Sequence, residues 1–169
     1  MKISIDKNVT INAPAHKVWD VLATNYENVG DWATVVPESA ARTDNNGELV
    51  GRVCSSAYGD AKEMITSWDE ENMSYSYQAD GLPAMFKSGK NEWQVKPLAP
   101  NSTKVSMKLR MEIKPLPGFL MGWMMKPKMN KDMDGLMDDL KHYVEKGIPH
   151  PKKAKSLEKW RKKKTKKAA

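Results

Sequence analysis

Residues 103–113 read Thr-Lys-Val-Ser-Met-Lys-Leu-Arg-Met-Glu-Ile, the cleanest alternation in the chain. Val105, Met107, Leu109, Met111 and Ile113 fall on one face, and Lys104, Ser106, Lys108, Arg110 and Glu112 on the other. A period of two marks a strand with one buried and one wet face. Past Pro115 and Pro117 the period changes. Met125, Met129, Met133, Leu136, Leu140 and Tyr143 or Val144 recur at steps of four and three, with Lys and Asp between them. This spacing predicts a long amphipathic helix over about 118–146, with Pro127 in its first turn or bending it. Strand followed directly by helix predicts that the helix packs across the sheet to which the strand belongs.

Upstream, short segments of strand character are separated by turn signals. Residues 38–44 lead into Asp44-Asn45-Asn46-Gly47, and 50–57 into Tyr58-Gly59-Asp60. Residues 62–68 end at Asp69-Glu70-Glu71-Asn72, and 73–79 at Asp80-Gly81-Leu82-Pro83. After a looser stretch, 91–96 end at Pro97, and Pro100-Asn101-Ser102 turns the chain into the strand at 103–113. Connections this short join antiparallel neighbours, since parallel ones need a long crossover. At the N-terminus Ile3, Ile5, Val9 and Ile11 alternate, with Lys7 the exception, and predict a first strand. Ala13-Pro14 opens a helix with Val18, Trp19, Val21 and Leu22 on its apolar face. Residues 25–32 read as a break and a short second helix ending near Gly30. The order is strand, two short helices, about six strands and a long helix, an α+β chain.

A chain of 169 residues suffices for one domain with a sizeable core. Apolar residues at 40% against 29% charged exclude both wholesale disorder and a membrane protein. No run approaches the ~20 apolar residues of a membrane-spanning helix. The opening MKISIDKN lacks the apolar stretch of a secretory signal. The single cysteine, Cys54, can form neither an internal disulfide nor a multi-cysteine zinc site. These features predict a cytoplasmic protein. The net charge of +7 is unevenly placed: ten of the 28 Lys/Arg and only one acid, Glu158, lie in 147–169. Residues 1–146 are therefore mildly acidic, which gives a nucleic-acid-binding body no support. Gly147, Pro149 and Pro151 mark the boundary. The expectation is a domain over 1–146 followed by a flexible, basic tail over 147–169.

The order of elements is accompanied by a set of spaced residues. Ile11-Asn12-Ala13-Pro14 leads to Val18-Trp19-Asp20-Val21-Leu22 and then Trp32. Gly51, Glu63, Tyr75-x-Tyr77, Trp93-x-Val95-x-Pro97 and Thr103-x-Val105-x-Met107 follow, before the closing helix. Together they resemble the START-like or Bet v 1-like (SRPBCC) superfamily, with its polyketide cyclase/dehydrase and lipid-transport group. The resemblance covers about residues 2–146 and leaves out the basic tail. It implies a helix-grip fold, in which a curved antiparallel sheet wraps around a long C-terminal helix, with two short helices between the first and second strands. It also implies a cavity between sheet and helix for a hydrophobic or amphipathic small molecule. A helix crossing a strongly curved sheet cannot fill the concavity along its whole length, and pockets of this sort are mostly apolar with a few polar groups.

Candidate lining residues follow. Six of the twelve methionines, Met121, Met124, Met125, Met129, Met133 and Met137, cluster in the closing segment. Unbranched thioethers repack around irregular partners, so Met125, Met129 and Met133 suit an adaptable wall as well as an ordinary core. They should face Met107 and Leu109, opposite Tyr75, Tyr77 and Trp93, whose aromatic bodies suit core and pocket alike. Asn91 shares a face with Trp93 and offers a hydrogen bond. The resemblance points Glu63 into the cavity and puts Trp32 at one end of it. Arg52, on the neighbouring hairpin strand, is a partner for Glu63, and the pair would orient a polar head; two solvent-facing charges are the alternative. Asp138 and Asp139 read as the wet face of the helix. Nothing puts His16, His142 or His150 beside one another, Cys54 or a serine.

No nucleophile elbow, phosphate-binding loop, dinucleotide fingerprint or zinc-protease motif is present. The expectation is therefore no catalytic group, no cofactor and no metal. The primary reading is carriage or sensing of a hydrophobic small molecule. A polyketide cyclase/aromatase-like enzyme using the same cavity is the alternative. A third is a module in which the tail, with Leu157 and Trp160 among its lysines, meets anionic membrane or nucleic acid.

Overall fold

The computed structural model describes every residue except 57, 58, 83 and 169, and the side chains of the rest except 115–123, 167 and 168. The turn positions Tyr58 and Pro83 and the side chain of Met121 thus lie outside the described residues. Strand β1 (Lys2–Ile11) leads to α1 (Ala15–Trp19), which runs on as a π-helical turn over Asp20–Thr24. A 3-10 turn at Tyr26–Asn28 and α2 (Val29–Trp32) follow. Six strands come next: β2 (Glu38–Thr43), β3 (Leu49–Ser56), β4 (Gly59–Asp69), β5 (Ser74–Asp80), β6 (Phe86–Ala99) and β7 (Ser102–Ile113). The chain closes with α3 (Pro115–Lys146) and α4 (Lys152–Ala168).

Among the described residues the strands form one antiparallel sheet in the order β1-β7-β6-β5-β4-β3-β2. The chain runs as a meander from β2 to β7, and β1 closes it by pairing with β7 from Lys2↔Glu112 to Ile11↔Thr103. The turn at 44–47 forms as its residues demand. Asp44 accepts the Asn46 and Glu48 amides, and Gly47 takes φ 84°. Gly51 of β3 is fixed by close approach, because a Cβ there would collide with the Glu63 carbonyl of β4.

Strand β6 and helix α3 both begin earlier than the sequence reading has them. Strand β6 begins at Phe86 rather than Asn91 and continues through Pro97. Its first residues carry little strand propensity, but pairing with β7 on one side and β5 on the other holds them extended. Pro97 is tolerated because β5 has already ended. The Val95 amide still reaches the Met73 carbonyl, but position 97, two residues further along that edge, has no strand to serve. Helix α3 starts at Pro115 rather than near Gly118, since prolines fit a first helical turn. Pro127 is therefore well inside the helix and leaves the carbonyl four residues earlier without its usual donor.

Helix α3 crosses the concave face of the sheet. Its C-terminal half packs Leu136, Met137, Leu140 and Val144 against Trp93, Val95, Val105 and Met107 from the sheet and Val18, Trp19 and Leu22 from α1 and its extension. Its N-terminal half puts Met125 and Met129 into a second cluster with Ile3, Ile5, Phe86 and Ile113. Met133 touches both clusters, and the space between them is where a cavity opens.

The C-terminal segment, expected as a flexible tail, is helical and pinned at its start. Gly147 takes φ 73°, ends α3 and reverses the chain. Lys153 is then buried, donating to the carbonyls of Ala33 (3.0 Å) and Val36 (2.6 Å), and Ser156 donates to that of Thr34 (2.9 Å). Asp139, read as part of the wet face of α3, is in fact 1% exposed and accepts the Thr34 amide at 2.7 Å. The loop after α2 turns its backbone groups to α3 and α4, and each needs a partner once buried. The same reversal brings the His142 and His150 rings to 5.0 Å.

Burial pushes the Lys153 ammonium down to about 8, against the opposing pull of Asp139, Asp31 and Glu38. Between about 8 and the ordinary 10.5 the folded chain therefore binds fewer protons here than the unfolded one. The contribution of Lys153 to stability rises with pH across that window and is lost as pH falls through it. Urea unfolding of wild type and Lys153→Met from pH 7 to 10 should show the difference moving in favour of wild type as pH rises. A pH-independent difference would contradict this.

Candidate ligand cavity

A cavity of about 170 Å³ lies between the sheet and α3. Val29, Trp32, Val35 and Val36 line it from α2 and the loop that follows, and Val21 and Leu22 from the π-helical turn after α1. The sheet supplies Arg52, Glu63, Tyr75, Tyr77, Asn91, Trp93 and Leu109, and α3 supplies Met129, Met133 and Leu136. Ten of the twelve residues picked from the sequence thus share one wall system.

Met107 and Met125 are the two exceptions. Met107 lies on the same face of β7 as Leu109, but opposite Trp93 and Lys7 in the filled part of the core. Met125 is one helical turn before Met129 and packs into the second cluster. Sequence reading missed Phe86, Gly89 and Met111 on the sheet and Leu82 before β6. The alternation of β7 already placed Met111 beside Leu109, whereas Phe86 and Gly89 needed the early start of β6.

The charged pair is the most constrained feature of the wall. Arg52 and Glu63 are directly opposite across the β3–β4 register. The Arg52 Nε donates to Glu63 Oε2 at 2.6 Å, and its Nη1 donates to the Tyr26 carbonyl at 2.6 Å. The guanidinium carbon lies 4.0 Å from the centre of the Tyr26 ring, and the Tyr26 hydroxyl donates to Glu63 at 3.3 Å. Arg52 is 5% exposed. Its pKa stands well above the ordinary value, because Glu63 and the tyrosines outweigh the opposing effect of burial.

Next to the pair, Tyr77, Tyr75 and Trp93 form a row of nearly parallel rings. Tyr75 and Tyr77 are 6.4 Å apart at 20°, and Tyr75 and Trp93 are 6.5 Å apart at 16°. A β-bulge between Ile65 and Ser67 extends the row. It shifts the alternation of β4 by one, so that Trp68 stacks on Tyr75 at 5.4 Å instead of facing away. Asn91 Nδ2 donates to the Tyr77 hydroxyl at 3.0 Å. Burial, the largest cause, raises the pKa of both Tyr75 and Tyr77, so each phenol keeps its proton.

Cys54 is buried on β3, and burial, reinforced by Glu63, pushes its thiol up to about 12. The thiol rather than the thiolate is present at pH 8. Iodoacetamide at pH 8 should leave the native protein unmodified over a time that fully alkylates it in guanidinium chloride, as read by mass. Equal rates in the two conditions would contradict this. Among the described residues no group of three or more His, Cys, Asp or Glu is placed to hold a metal ion. No helix among them is long and apolar enough to cross a membrane.

The sequence matches the polyketide cyclase / dehydrase and lipid transport family over residues 2–145. No curated protein matches it in sequence. Solved structures share the fold. A START superfamily protein from Mycobacterium smegmatis is 17% identical with a TM-score of 0.67, over 84% of this chain and 97% of that one. A protein from Thermus thermophilus is 20% identical with a TM-score of 0.66, over 83% and 96%. The Zhui aromatase/cyclase from a Streptomyces species is 12% identical with a TM-score of 0.67, over 89% and 100%. At such identities the likeness concerns the fold.

Proposed function

The chain belongs to the polyketide cyclase / dehydrase and lipid transport family, and from that premise we propose that it binds a hydrophobic or amphipathic small molecule in the cavity between the sheet and α3, as a carrier or sensor. The observation that carries this reading is the cavity itself: an apolar and aromatic lining with one buried ion pair in its wall. Such a lining removes apolar ligand surface from water, worth about 25 cal/mol per Å² before the costs of association.

The cyclase-like alternative needs a group that moves protons at the ligand. Glu63 is engaged by Arg52 and Tyr26, and burial holds Tyr75 and Tyr77 in their protonated form. Binding is the activity these arrangements favour. Native mass spectrometry of the purified protein, followed by extraction and identification of what it carries, tests the reading. One small molecule per chain, released unchanged, is the expected result. Multiple-turnover conversion of a bound polyketide would move the protein to the enzyme class.

A further inference from the structure

Helix α4 carries a charge pattern that the cavity does not use. Lys152, Lys155, Lys159, Lys162 and Lys166 recur at steps of three and four, which puts them in one row along the helix. Lys163 flanks the row, and all six are exposed. At a rise of about 1.5 Å per residue the row is about 20 Å long. The single acid of the helix, Glu158, is taken by Lys162 at 2.6 Å. Among the described residues Lys155, Lys159, Lys163 and Lys166 meet no carboxylate. A solvated helix face ordinarily mixes acids with its bases. Here Lys155 and Lys159, Lys159 and Lys163, and Lys162 and Lys166 are like charges four apart, an arrangement that weakens a helix. An anionic partner laid along the row relieves that repulsion.

A different side of α4 is engaged with the rest of the chain. Lys153 donates to the carbonyls of Ala33 and Val36, and Ser156 to that of Thr34. Lys164 lies 4.5 Å from the centre of the Trp160 ring and reaches Glu38 of β2 at 3.4 Å. The helix is therefore held with its lysine row in solvent. The loop to which it is fastened gives Val35 and Val36 to the cavity wall.

Three observations favour lipid over nucleic acid as the partner. Arginine, which reads phosphates by paired bonds, occurs once in α4, at Arg161, and the row is made of lysines, which act as point charges. Single-stranded nucleic acid takes aromatic platforms among the basic groups, but Trp160, the one aromatic of α4, is half-buried beside Lys164. Residues 1–146 are mildly acidic, which disfavours a polyanion that wraps the body, whereas a flat surface meets the row alone.

We propose that the lysine row of α4 docks the protein peripherally on an anionic lipid surface, with lipid headgroups as its counter-charges. Clusters of ~4–8 basic residues on a helix suffice for such attachment. The choice of lipid also draws on the proposed carriage of a hydrophobic molecule, because the row is fastened to a wall of that cavity; the docking itself does not depend on the cavity. Full-length protein is co-sedimented at about 0.15 M salt with vesicles of equal parts phosphatidylglycerol and phosphatidylcholine, and with vesicles of phosphatidylcholine alone. One variant combines Lys155→Gln, Lys159→Gln, Lys162→Gln and Lys166→Gln. A control combines Lys62→Gln, Lys96→Gln, Lys104→Gln and Lys108→Gln, which removes the same charge from exposed positions of the sheet.

Wild type should bind the anionic vesicles at least tenfold more tightly than the neutral ones. The α4 variant should lose at least tenfold on the anionic vesicles, and the control much less. Duplex DNA added at equal phosphate concentration should leave wild type on the vesicles. If the α4 variant fails to fold, the two vesicle types and the DNA competition decide alone. Equal binding to both vesicles, equal losses in the two variants, or displacement by DNA overturns the proposal. Each of these leaves the cavity reading in place, since native mass spectrometry reads it separately. Docking on anionic vesicles by a protein that carries no small molecule upholds the docking and removes the cavity reading.

Discussion

Arg52→Met is expected to lower the free energy of unfolding by about 3–5 kcal/mol, the usual cost of removing one partner of a buried ion pair. Among the described residues, the substitution leaves the Glu63 carboxylate in the wall with only the Tyr26 hydroxyl at 3.3 Å, and it deprives the Tyr26 carbonyl of its 2.6 Å donor. The apolar body of Arg52 is largely replaced, so the loss reports charge and hydrogen bonding rather than volume. Adding Glu63→Leu should restore most of the stability, because apolar pairs of similar size often match or better a buried ion pair. Urea unfolding of the three proteins checks this. A loss below about 1 kcal/mol in the single variant would mean that the pair behaves as a surface one.

The second large effect concerns binding. Met129→Trp should weaken binding of a single-ring probe by more than tenfold while leaving the protein folded. Met129 lines the cavity together with Met133 and Leu109, and the indole has that space to enter. A methionine site tolerates substitution better than a rigid core site, so the stability change should stay within the ~1–3 kcal/mol of ordinary overpacking. Calorimetric titration together with thermal unfolding reads both quantities. Unchanged affinity in a folded Met129→Trp protein would move the ligand elsewhere.

Much of the scaffold was legible because period and turn chemistry are local. The alternation at 103–113 is β7, the four-and-three spacing is α3, and the turns at 44–47 and 69–72 are where Asp, Asn and Gly put them. The cavity wall was legible to the extent that it follows parity. Glu63 faces Arg52, and Asn91, Trp93 and Leu109 share a side.

What escaped is set by contacts between distant segments. Parity puts Met107 and Leu109 on one face, but only the register shows that Met107 meets Trp93 and Leu109 meets Asn91. The bulge after Ile65, which turns Trp68 inward, has no glycine to announce it. Asp139 and Lys153 look like surface charges in any helical pattern, and become buried partners only because the loop at 33–37 closes on them. The segment read as a tail is helical, and its start is held at Lys153 and Ser156 for the same reason.

In the proposed function, ligand enters the space between the sheet and α3. Methyl-labelled methionine NMR tests it most directly, because the methionines sample both the cavity and the surface. Met111, Met129 and Met133 line the cavity, whereas Met64 and Met124 are 42% and 60% exposed away from it. Saturation with benzamide or toluene should shift the methyl signals of Met111, Met129 and Met133 and leave those of Met64 and Met124 in place. Shifts confined to Met64 and Met124, with the three cavity methyls unmoved, would contradict it.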